Sequence, residues 1–207
     1  MFIDYVALML INLVAGLVFV ALYVYRGLDI PDQKHWVPGF AMSGFVALAT
    51  GLHMIWNWPL PGSYNIAIGD LSVLFGIVFL GTAFALAMSW RLDTVAGYAF
   101  FAGIVAILIG AGVISRGLAG GSLLIGNYTS HGLTAAQEHI LAGIGYILAG
   151  LSGVFAPLAL YLKENRTFRT IGALVLLIAA LIWAIVGYGA YWTHLSEHAG
   201  WVPLLMK

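Results

Sequence analysis

Apolar residues occur in this chain as long blocks, separated by short polar breaks. Six blocks reach membrane-spanning length, at roughly 3–25, 36–56, 70–90, 94–117, 135–162 and 171–193. A helix rises about 1.5 Å per residue, so about 20 apolar residues cross the hydrocarbon layer. The breaks carry ordinary stop and start signals. Pro31 and Asp32 follow the first block, and Trp58-Pro59-Leu60-Pro61-Gly62 follows the second. Asp93 stands where it caps the fourth, and Thr134 with Gln137 has capping-box spacing before the fifth. Pro157 falls within the fifth and longest block, where it kinks the helix or marks turns that leave the membrane. The first block is too long for a signal-peptide core and has no basic stretch before it, so it reads as a retained helix. The pattern predicts an all-α polytopic bundle of six transmembrane helices, one transmembrane domain over residues 1–207.

Composition sharpens that picture. The chain is 62% hydrophobic and 8% charged, against about 25% charged in a soluble protein. So few charges cannot clothe a water-facing surface, and the lipid bilayer is the expected partner. Lys plus Arg and Asp plus Glu are both 8, and no basic run offers a nucleic-acid surface. The absence of cysteine excludes disulfides, thiolate metal sites and Cys-held iron–sulfur clusters within the chain.

The few positive charges orient the bundle. Arg26, Lys34, Arg91, Lys163, Arg166 and Arg169 fall in three breaks that share one side, leaving Arg116 and Lys207 for the other. By the positive-inside rule both termini lie on the outer side, with the cell membrane as the expected location. Glycines 103, 110 and 112 in the fourth block and 143, 150 and 153 in the fifth read as close packing surfaces. No internal repeat is evident.

The segment Trp58-Pro59-Leu60-Pro61-Gly62-Ser63-Tyr64-Asn65, followed by Gly69-Asp70 and Phe75-Gly76, resembles the signature of an integral membrane family, domain of unknown function 981. The resemblance implies the membrane class. It carries no activity and no catalytic residues.

Candidate chemistry rests on the polar residues. Five of the six histidines fall at the outer end of the bundle, and only His35 falls at the inner end. His53 ends the second block, His131 lies in the loop before the fifth, and His139 follows Glu138 near the start of the fifth. His194 and His198 end the sixth, four residues apart and so on one helical face, while Asp70 opens the third. His53, His139, His194 and His198 are the candidate ligands, with Glu138 and Asp70 adding oxygen or orienting a histidine. Imidazole with carboxylate suits Cu, Zn or Fe, and paired histidines on facing helices suit a b-type haem. The leading expectation is therefore a metal- or haem-binding electron-transfer or oxidoreductase subunit, working with other membrane subunits or as a homo-oligomer. The residues also have structural readings. Asp70 and Glu138 complement helix N-termini, and His194 and His198 sit beside an aromatic belt of Tyr191, Trp192 and Trp201. Asn12 reads as a hydrogen bond between helices.

Two alternatives stand beside the metal reading: a non-catalytic structural subunit and a small transporter. Against the transporter, Asp4, Asn12 and the outer cluster do not make the continuous polar path that a proton relay needs. The stretch from Asn57 to Ile68 is short on charge and rich in Trp, Pro, Tyr and Asn. It reads either as a lid over the outer end or as a rigid interfacial turn.

Overall fold

The computed structural model describes residues 5–60, 63–117 and 135–197. Within them the chain is helical: α1 (Val6–Arg26), α2 (Val37–Asn57), α3 (Leu71–Ala87), α4 (Asp93–Arg116), α5 (Ala135–Val154), α6 (Ala156–Tyr161) and α7 (Arg166–Glu197). A 3₁₀ turn at Lys34–Trp36 leads into α2, and a π-helical segment at Asn65–Asp70 leads into α3. Five helical spans are long and apolar enough to cross a membrane, and α5 contributes a shorter apolar stretch at His139–Val154. The all-helical membrane fold read from the sequence is the fold observed.

One boundary differs from the sequence reading, and the interruption expected at Pro157 is a break between two helices. The third span runs Asn65–Ala87, five residues ahead of the apolar block, because the polar Asn65 is wound into the π-helical turn. The fifth block breaks at Phe155, between α5 and α6. The cause is Pro157, in the first turn of α6: it has no N–H to give to the preceding turn, and the helix restarts around it.

The helices close into a ring. α1 packs against α2 and α7, α2 against α3, α3 against α4, α4 against α5, and α5 against α7. Glycine sets the closest of these approaches. A Cβ on Gly150 would fall 2.6 Å from the carbonyl oxygen of Gly103, and one on Gly110 would fall 2.6 Å from that of Gly143. The α2–α3 pair is built the same way: a Cβ on Gly51 would meet the Val73 nitrogen at 2.8 Å, and one on Gly76 the Leu48 nitrogen at 2.6 Å. In lipid there is little hydrophobic drive between helices, so backbone-to-backbone van der Waals contact holds such pairs. The packing reading is borne out at Gly103, Gly110, Gly143, Gly150 and Gly153, while a Cβ on Gly112 would meet nothing within 4 Å. Large apolar side chains such as Phe45, Phe101, Leu108, Leu181 and Leu195 point outward, as a lipid-facing surface requires.

Candidate functional site: an axial cavity and its two ends

The ring borders a half-open cavity of about 270 Å³. Every spanning helix contributes to its wall: Leu13, Leu17 and Val20 from α1, Phe40 from α2, Phe75 and Phe79 from α3, Ala99 and Ala102 from α4, Ala149 and Ser152 from α5, and Ile171 and Val175 from α7. Its polar lining side chains are Tyr23, Thr82 and Ser152. Thr82 donates to the Val78 carbonyl at 2.8 Å and Ser152 to the Leu148 carbonyl at 3.1 Å. Both hydroxyls are turned back onto their own helices, so the wall presents mainly hydrocarbon and aromatic faces.

Aromatic side chains pack together at the end read as inner. The Tyr23 ring meets Trp36 and Phe40 edge-on, at centroid distances of 5.8 and 5.4 Å, and Phe40 meets Phe79 at 6.0 Å. The Tyr23 hydroxyl donates to Gln33 Oε1 at 2.8 Å, and Gln33 Nε2 donates to the carbonyl of Ile30 at 3.2 Å. These bonds tie the α1–α2 connection to the cavity wall. At the same end the buried Arg169 guanidinium pairs with Asp29, Nη1 to Oδ1 at 2.6 Å. That pairing holds the Asp29 carboxyl below its usual range, chiefly through the hydrogen bond from Arg169.

A small cap of buried side chains lies at the opposite end. Tyr5, Met9, Met54 and Ile68 form a buried cluster with Leu60 and Tyr64 packed against it. Asn65, fully buried, holds the cap in place. Its Oδ1 accepts from the Leu60 N–H at 3.1 Å, and its Nδ2 donates to the Leu60 carbonyl at 2.5 Å. The turn before it leaves α2 through Trp58, a non-glycine residue with φ 47°, whose N–H still bonds the Met54 carbonyl. Within the stretch from Asn57 to Ile68, Leu60 and Tyr64 pack on the buried cluster, Asn65 clasps Leu60, and Asn57, Trp58, Pro59, Ser63 and Ile66 are exposed.

The residues singled out from the sequence lie elsewhere. His53 is exposed at the outer end of α2, edge-on to the Tyr5 ring at 5.2 Å. His139 is half-buried, its ring 3.0 Å from where a Cβ on Gly117 would lie. His194 and Asp70 are half-buried. His198, His131 and the side chain of Glu138 lie outside the described residues. None of His53, His139, His194 or Asp70 lines the cavity. Among the described residues no three His, Cys, Asp or Glu side chains gather as a metal-sized group. The sequence reading passed over the cavity wall itself. Leu, Val, Ala and Phe facing a lumen look the same in a sequence as those facing lipid.

This geometry can be set beside known proteins. The chain belongs to the family DUF981, described as a protein of unknown function, whose profile matches residues 1–197. No protein of curated function matches it in sequence. Its fold resembles that of the Helicobacter pylori urea channel in the closed state, solved by cryo-EM. The TM-score is 0.62 at 16% identity, covering 95% of this chain and 99% of that one. The likeness corrects the expectation of a metal- or haem-binding electron-transfer or oxidoreductase subunit. That neighbour is a channel, and among the described residues no three His, Cys, Asp or Glu side chains gather to hold a metal. The chain is an integral membrane protein of this helical class.

Proposed function

We propose that the protein is a channel for small uncharged solutes, which cross along the axis of the helix ring. The observation that carries this reading is the cavity wall. All six spans contribute to it, and the phenol of Tyr23 is its sole ionisable group among the described residues. A charge placed in such a wall would lose its hydration without a partner, at a cost of several kcal/mol or more. A neutral molecule pays far less. The objection that no continuous polar path exists bears on protons and ions, and a neutral solute needs no such path. The fold likeness to a channel named for urea supports the reading, since urea is a small, neutral molecule. The outward apolar surface also suits lateral packing with other membrane subunits or a second copy of the chain, in a cell membrane.

The test is solute flux. Purified protein in liposomes is mixed rapidly with urea, acetamide, glycerol or a salt, and vesicle volume is followed by light scattering. Faster entry of neutral solutes than into protein-free vesicles, without ionic conductance, is the expected result. Neutral-solute entry no faster than in empty vesicles, across the whole series, overturns the reading.

A further inference from the structure

A second, much smaller cleft lies between the cavity and the cap. Its volume is about 20 Å³, and it is lined by Asn12, Ser72 and Tyr146 among apolar neighbours. It shares Leu13, Phe75 and Phe79 with the large cavity, and Met9 and Ile68 with the cap cluster. It therefore borders both. About 10–15 Å³ is enough to hold one water-sized group, provided polar partners surround it.

The three polar side chains supply those partners. Asn12 donates through Nδ2 to the Ser43 carbonyl at 2.9 Å. That bond fixes the amide and leaves Oδ1 as the acceptor. Tyr146 is buried, and its ring lies against Trp183 at a centroid distance of 4.6 Å, which holds the phenol in place. Ser72 comes from the first turn of α3, just after the π-helical segment. These three come from α1, α3 and α5, three different sides of the ring. A fixed acceptor and two hydroxyls, which donate and accept, line one small cleft between the cavity and the cap cluster.

We infer that Asn12, Ser72 and Tyr146 form the solute-selecting waist of the channel, a site for small neutral molecules that both donate and accept hydrogen bonds, the chemistry shared by amides and water. The inference rests on the channel reading. The apolar cavity rejects charge, and the waist then favours solutes whose N–H and O–H groups it can satisfy. A site built to hydrogen-bond a solute discriminates against an analogue lacking the group, because its own buried polar atoms are left unpaired.

The experiment compares urea with 1,3-dimethylurea, which has fewer N–H donors, and measures osmotic water permeability in the same liposomes. Tyr146→Phe and Ser72→Ala each remove one oxygen, and Asn12→Leu keeps the shape without the amide. Each variant is first shown to elute and melt as a folded protein. Tyr146→Phe changes one atom and serves as the variant that keeps its fold. The wild type is expected to favour urea, and each variant to lower the urea to dimethylurea ratio by about tenfold. A merely structural role would slow both solutes alike. Loss confined to water permeability assigns the site to water rather than amides and overturns the amide arm. Wild-type urea flux with unchanged ratio and water permeability in all three variants overturns the inference and leaves the channel reading standing. No neutral-solute flux in the wild type overturns both.

Discussion

The side-chain amide of Asn65 and the backbone of Leu60 form a closed pair, N–H to Oδ1 at 3.1 Å and Nδ2 to carbonyl at 2.5 Å. The side chain acts here as a peptide group would, satisfying both polar atoms of one residue in a turn. The pair fastens the segment after Trp58 over the outer end of α1, α2 and α3. Asn65 is fully buried, so its own amide has no water to fall back on, while Leu60 is half-buried.

From this follows the first prediction. Asn65→Ala leaves the Leu60 N–H and carbonyl without their partners, and unsatisfied buried groups cost about 1–3 kcal/mol. Lower stability in detergent unfolding is expected, together with faster solute entry, because the cap is freed. Asn65→Asp keeps the acceptor but loses the donor, and should fall between wild type and Ala. An Asn65→Ala protein as stable and as impermeable as the wild type would show that the clasp does not hold the cap.

The clasp also shows what the sequence did and did not disclose. The spans were legible because apolar length and scarce charge leave few alternatives. The start of α3 was not, since Asn65 and the prolines at 59 and 61 look like loop until their three-dimensional partner is known. Ring closure by α1 against α7 was hidden for a similar reason: apolar periodicity does not order helices laterally. Glycines of the fourth and fifth blocks read as packing surfaces, but their seven-residue spacing, shared by the glycines of the second and third spans, was not read as a sign of helix pairing. Gly44 and Gly51, Gly69 and Gly76, Gly103 and Gly110, and Gly143 and Gly150 each lie seven apart, and they mark the two closely packed pairs α2–α3 and α4–α5. The histidines drew attention because ionisable groups stand out in an apolar chain, while the lumen wall is made of residues that do not. Asn12 was read as a bond between helices, and it makes one, to Ser43. Its free oxygen at the cleft needed the fold to be seen.

The orientation predicts a labelling pattern. The native chain has no cysteine, so single cysteines report without background. Asn57→Cys and Glu164→Cys are both at exposed positions. In sealed cells a membrane-impermeant maleimide should modify the first and spare the second until the membrane is opened. The reverse pattern would invert the topology drawn from the positive charges.

Glycine packing predicts opposite effects at two positions of similar helical context. At Gly150 a new side chain meets the Gly103 carbonyl and Ile107 of α4, with backbone that cannot step aside. Gly150→Val should therefore destabilise by about 1–3 kcal/mol or more. At Gly97, also within a helix, a Cβ meets nothing within 4 Å. Gly97→Ala should stabilise by roughly 0.5–1 kcal/mol, by removing glycine's entropy cost. Titration with a denaturing detergent reads both, and equal shifts at the two sites would mean that the α4–α5 approach is looser than drawn.

The Asp29–Arg169 pair at the inner end makes stability depend on pH in a defined direction. Arg169 holds the Asp29 carboxyl below its ordinary value, first by the hydrogen bond and then by charge. A carboxyl with a lowered folded-state pKa contributes stability above its unfolded value of about 3.9, and that contribution disappears as pH falls through the folded value. Asp29→Asn removes the charge at every pH and leaves the buried Arg169 guanidinium facing a neutral amide. At about pH 7 the variant should melt below the wild type. In acid, below the folded pKa of Asp29, the two melting temperatures should converge, because the wild-type carboxyl is by then protonated as well. Added salt should narrow the neutral-pH gap only in part, since Asp29 is accessible to screening but Arg169 is not. A gap that stays constant from neutral pH into acid would mean that Asp29 acts through its shape rather than its charge, and the ion pair would have no part in holding the inner end together.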